Sequence, residues 1–218
     1  MLKKLKFAII IIIVFGASEL LFRINSNKVN ILSAYYISQA QRSIDKNEFQ
    51  DSLNYLSRAA KYNIKNISKN YAGLIPADYN PTLSLSNNKD LEKPFSDYIS
   101  KINPWKILIS KKNNLSKVFY DLGVVSYQDG MNSDKIIIEL LQTSIFLNPE
   151  LSYPHLELAN YYLIQKDKEN AQKGLDYCLK FIYAKKHCAE YFSNNFPDNP
   201  PFKFGFLEEE STKYYSSK

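Results

Sequence analysis

The stretch Asn148–Lys180, NPELSYPHLELANYYLIQKDKENAQKGLDYCLK, decides how the rest of this 218-residue chain is read. His155, Leu158, Ala159 and Tyr162 recur at three- and four-residue intervals, the spacing that gathers side chains on one face of an α-helix. A short polar break, QKDKE (Gln165–Glu169), follows. Ala171 and Leu175 then resume the same periodicity as a second helix. Two short helices joined this way form a hairpin whose apolar face needs a neighbour to cover it.

The neighbours are written in the same pattern. One unit earlier, Phe119, Leu122 and Gly123 repeat the large-large-small spacing, with Ser126 where Tyr162 stands in the later copy. Ile137, Leu141 and Ser144 form the second helix, which closes on Asn148-Pro149. The longer turn of this copy falls in DGMNSD (Asp129–Asp134), where added residues cost little loop entropy. A third copy near the amino end places Tyr36, Gln39, Ala40 and Ser43 on its first helix and Ser52, Leu56 and Ala59 on its second. Its turn is DKNEF (Asp45–Phe49). Gln39 and Ser43 depart from the pattern. Ala40, Gly123 and Ala159 stand where two helices of a hairpin would cross closely.

These positions resemble the tetratricopeptide repeat, whose signature runs aromatic, Leu-Gly, Tyr, Ala, Phe and Pro over two helices. The resemblance implies an all-α, antiparallel helix-hairpin solenoid with a concave face for binding a partner rather than for chemistry. In that family the first helices line the concave face, which assigns Ile37, Gln41, Tyr120, Val124, Tyr127, Leu156, Asn160 and Leu163 to a partner-binding groove. Some members clamp a partner's terminal carboxylate with Lys, Arg and Asn. Asn160 keeps an Asn place, but Leu156 and Tyr120 replace the cooperating cations. The expected occupant is therefore an extended or helical protein segment rather than a free carboxylate.

Ahead of the repeats, Lys3, Lys4 and Lys6 precede the apolar run Phe7–Ser18, which Leu20–Phe22 extend beyond Glu19. At ~1.5 Å per residue, the residues up to Ile24 suffice for a ~30 Å hydrocarbon core. The basic start predicts an amino end in the cytoplasm and an exported, periplasmic or extracellular repeat domain. Gly16-Ala17-Ser18 also fits the end of a cleaved signal peptide, although the apolar residues that resume after it favour a retained anchor. Both readings export the domain, and the absence of a cysteine after the apolar core excludes a lipoprotein anchor.

The formal charge is +6. Setting aside Lys3, Lys4, Lys6, Arg23 and Glu19 leaves 24 basic and 21 acidic residues, scattered rather than arrayed, which argues against nucleic acid as a partner. Cys178 and Cys188 invite a disulfide in an exported protein. Within one unbroken helix they would lie ~15 Å apart, out of bonding reach. A break near Ala184–Lys186 would let them meet, and a reduced core thiol at Cys178 is the equal alternative. His155 and His187 are the chain's two histidines, and His155 takes the repeat's aromatic position, which fits a packed ring. His187 and Cys188 are the one His/Cys pair close enough to suggest a metal, but adjacent residues point to different helix faces. A Gly-rich phosphate loop and GxSxG are absent, so neither a catalytic site nor a cofactor is expected.

The chain thus divides into a basic stub (1–6), an anchor (7–24), a weak first repeat (31–65), an insertion (66–115), a second repeat (116–149), a third repeat (150–183), and a capping helix with a Pro/Phe-rich tail (184–218). Within the insertion, Asn70–Asn88 reads as an extended loop punctuated by Pro76 and Pro81. Lys89–Ile102 reads as a helix of a decayed repeat, followed by Trp105. The expected function is a non-catalytic, membrane-anchored scaffold or assembly factor that binds a protein, itself a membrane or envelope component. An accessory subunit of an envelope polysaccharide or secretion enzyme is the alternative.

Overall fold

The computed structural model describes residues 28–67, 75–76, 78–83, 89–109, 114–128, 134–181 and 184–196. Regular structure among them is entirely helical: α1 (Lys28–Asp45), α2 (Phe49–Ile67), a 3₁₀ turn (Lys89–Leu91), α3 (Glu92–Lys101), α4 (Pro104–Ile109), α5 (Asn114–Gln128), α6 (Asp134–Leu147), α7 (Ser152–Ile164), α8 (Lys168–Cys178) and α9 (Lys185–Asn195). The expected anchor at 7–24 and the tail beyond Phe196 lie outside the described residues. None of the described helices is long and apolar enough to cross a membrane.

Three hairpins, α1–α2, α5–α6 and α7–α8, stack in chain order, and α9 covers the last one by packing on α7 and α8. The first and third hairpins turn identically. Asn47 and Lys166 both adopt left-handed backbone, at φ 60° and 62°. The next N–H then reaches back five residues, from Glu48 to the Ser43 carbonyl and from Asp167 to the Tyr162 carbonyl, each at 2.8 Å. This is the Schellman arrangement, which satisfies carbonyls stranded at a helix end. The Asp167 side chain then caps α8 by accepting from the Asn170 backbone N–H at 3.1 Å.

Small residues set how closely the helices approach. A Cβ on Gly123 would meet Leu141 Cδ2 at 2.9 Å and Cγ at 3.1 Å. Ser116 and Ser144 cross-bond the same hairpin, each hydroxyl donating to the other's backbone carbonyl at 2.9 and 2.7 Å. Ala40 and Ala159 are fully buried at the matching positions. The helix α6 is apolar nearly all round because it is packed on two sides. Ile136, Leu140 and Leu147 enter the core shared with α1–α5, while Ile137, Leu141 and Ile145 join Leu158 and Tyr161 of α7.

The described part of the insertion is integral to the core. Leu83, Leu91, Phe95, Ile99 and Ile107 are buried with the residues of α1 and α2. Leu83 is stitched to α2 by its N–H to Ser57 Oγ at 3.1 Å and by Gln50 Nε2 to its carbonyl at 3.1 Å. Tyr79 reaches α6 through Thr143 Oγ1 at 2.7 Å. The short helices α3 and α4 pack on both α1 and α5, so they stand between the first helices of hairpins one and two. On the opposite side α2 meets α6 directly.

The open question of the cysteines is answered by a Cys178–Cys188 disulfide with Cα atoms 6.2 Å apart. The bridge forms because α8 ends at Cys178 and α9 begins at Lys185. The chain therefore reverses instead of continuing as one rod.

Candidate binding surface

The eight groove residues expected from the sequence do not form one continuous strip. Ile37 is fully buried in the main core and offers no surface. Gln41 is turned inward onto the insertion, its Nε2 donating to the carbonyls of Ile99 at 3.0 Å and Ile102 at 2.7 Å, where α3 ends. Because α3 and α4 intervene, the α1 positions are separated from those on α5 and α7. Tyr127 belongs to α5, but its side chain lies outside the described residues.

The remaining positions gather where α5, α7 and α9 lie side by side. Tyr120 is half-buried, with its ring 6.3 Å from that of Tyr153. Val124 lines a small cleft with Gly123, Ile137, Leu141, Glu157 and Tyr161. Leu156 and Leu163 are half-buried against the core of the third hairpin and α9. Asn160 Oδ1 accepts a 3.2 Å hydrogen bond from the Tyr191 hydroxyl on α9. The capping helix therefore occupies part of the face that the repeat pattern assigns to a partner.

Five residues absent from the expected set, Ser152, Tyr153, Glu157, His187 and Tyr191, complete this surface. Tyr153 is 59% exposed and stacks on His187 at 6.5 Å between centroids, while Ser152 Oγ lies 3.1 Å from His187 Nδ1. Glu157 sits one helical turn beyond Tyr153 and has no ion-pair partner among the described residues. Burial raises the pKa of its carboxyl above the ordinary range. The pKa values of Tyr120 and Tyr191 are also raised, by burial first and then by the Glu157 charge. Glu157 was legible in principle, as the single acid on α7. Tyr191 was not, because its proximity depends on how α9 folds back.

The two histidines behave differently. His155 is buried, with Nε2 bonded to the Pro149 carbonyl at 2.9 Å and its ring beside Tyr177 and Phe181. Desolvation lowers its pKa to about 4. Among the described residues no three His, Cys, Asp or Glu side chains are grouped to hold a metal ion.

No protein-family model, curated protein or solved structure matches this chain.

Proposed function

We propose that this chain is a non-catalytic scaffold of the tetratricopeptide-repeat kind, held at a membrane by residues 7–24, whose exported domain binds a protein segment across α5, α7 and α9. The observation that carries the reading is Glu157, a half-buried carboxylate with no cation beside it among the described residues, set among Tyr120, Tyr153 and Tyr191. Burying a carboxylate without a partner costs stability, so a site of this kind is completed by a cation brought from outside. Aromatic faces beside it favour a Lys or Arg side chain over a metal. The expected occupant is an extended or helical segment carrying one basic residue beside apolar ones. The identical turns of hairpins one and three support the repeat assignment, and the disulfide suits an oxidising compartment.

The test is photocrosslinking in cells from Tyr120 and Tyr153, with mass spectrometry of the adducts and Lys61 on α2 as a control site. The expected result is one protein captured from both positions, not from Lys61, and lost in Glu157→Lys. Glycan adducts would favour the accessory-subunit alternative. Capture that survives Glu157→Lys, or no capture, would overturn this site.

A further inference from the structure

The insertion presents a second surface, distinct from the α5–α7–α9 face. On α4, Trp105 and Ile109 are 70% and 73% exposed. They lie four residues apart and so project from one side of a single helical turn. The turn is pinned rather than frayed. Ile107 is buried in the main core, and Asn103 Oδ1 accepts the Trp105 N–H at 3.0 Å. Beside this ledge opens a cavity of about 260 Å³ whose lining includes Tyr98, Lys101, Lys106, Lys117 and Asp121. Three of its residues are lysines. Its one carboxylate, Asp121, is already engaged by Lys117 Nζ and the Tyr98 hydroxyl, both at 2.7 Å. Lys101 and Lys106 are exposed and make no ion pair with any described residue. The corner is therefore apolar at its tip and cationic along its flank.

We propose that the α3–α4 corner is a contact surface for an anionic lipid bilayer. Trp105 and Ile109 enter the interfacial zone, and the lysine-rimmed cavity receives a lipid phosphate. Protruding apolar side chains suit a planar, deformable surface, whereas a peptide partner needs a concavity to bury its own anchors. Tryptophan combines an apolar ring with an N–H donor, the combination favoured at headgroup depth. Lysines beside it draw the ledge to anionic headgroups, about fivefold in partitioning for each. The surface stands on its own residues and not on residues 7–24, although both would hold the repeats close to the bilayer.

Trp105 is the only tryptophan in the chain, so intrinsic emission reports on this ledge alone. The experiment places the full chain with vesicles of phosphatidylcholine, either pure or mixed with phosphatidylglycerol, and uses lipids brominated at shallow or deep acyl positions as quenchers. With phosphatidylglycerol, the expected result is a blue shift and stronger quenching by shallow than by deep bromine. Both should be lost in the Lys101→Glu/Lys106→Glu variant. Flotation of the vesicles scores anchoring separately, because attachment through residues 7–24 alone carries the chain along without moving Trp105 out of water. Water-like emission with phosphatidylglycerol present would overturn the proposal. So would equal quenching in pure phosphatidylcholine, or a blue shift that follows protein concentration without lipid, which would indicate a second copy. A shift produced by soluble glycerol phosphate alone would assign the cavity to a free anion and overturn the bilayer reading as well.

Discussion

Gly123 shows how one atom sets the spacing of a hairpin. The Leu141 side chain fills the space a Cβ would need, and a branched side chain there would force α5 and α6 apart. Gly123→Val is expected to cost about 1–3 kcal/mol by overpacking, read as a lower denaturation midpoint at unchanged m-value. His155 makes a different kind of contribution. Its pKa in the fold is about 4 against an ordinary 6.5, so the ring is neutral in the native state and takes up a proton more readily when unfolded. Its share of stability is therefore complete above about pH 6.5 and is lost as the pH falls toward about 4, amounting to roughly 3 kcal/mol. Asp176, raised by burial to about 6, acts in the opposite sense over part of that range. The informative quantity is thus the stability difference between the native chain and His155→Phe. That difference should shrink as pH falls, and a pH-independent difference would contradict the buried neutral ring.

The turns and the cap decide how the hairpins hold together. Lys166 adopts left-handed backbone although it is neither Gly nor Asn, a conformation that costs an L-residue roughly 1 kcal/mol. Lys166→Gly should raise stability by about 0.5–1 kcal/mol, measured by chemical denaturation, once the greater freedom of glycine in the unfolded chain is offset. The Cys178–Cys188 bridge closes a 10-residue separation and ties α9 to the hairpin it covers. Replacing both cysteines with alanine should remove about 3 kcal/mol. Hydrogen exchange is expected to place that loss in α7–α9, with the amides of α1 and α2 still protected. Equal loosening throughout would mean that the cap and the first hairpin unfold as one unit.

Across the molecule, the inserted segment is the element that departs most from a plain array of hairpins. Phe95 is fully buried and packs 6.3 Å from Phe49, so α3 contributes to the same core as α2. Phe95→Ala should cost about 3–5 kcal/mol and lower the unfolding transition of α1–α6 together. A segment serving only as a spacer would give a small, local effect instead.

The helical hairpins and the turns of the first and third were legible in the chain because they depend on contacts within about five residues, while the expected turn at Asp129–Asp134 falls mostly outside the described residues. Ala40, Gly123 and Ala159 were marked as small buried positions by the repeat spacing. The pairing of Cys178 with Cys188 stayed open in the sequence and is decided by the break at 179–184, a few residues ahead of the expected Ala184–Lys186. The capping helix was legible for the same reason as the hairpins. Where α3 and α4 would lie was not, since Lys89–Ile109 has helical periodicity but carries no mark of which helices it will separate. That packing turns Gln41 inward, buries Ile37, and leaves Tyr120, Val124 and Asn160 on a face completed by Tyr153, Glu157 and Tyr191. Local periodicity specifies which side of a helix is apolar. Which neighbour covers that side depends on contacts far apart in sequence, and only the folded arrangement of α3, α4 and α9 decides it.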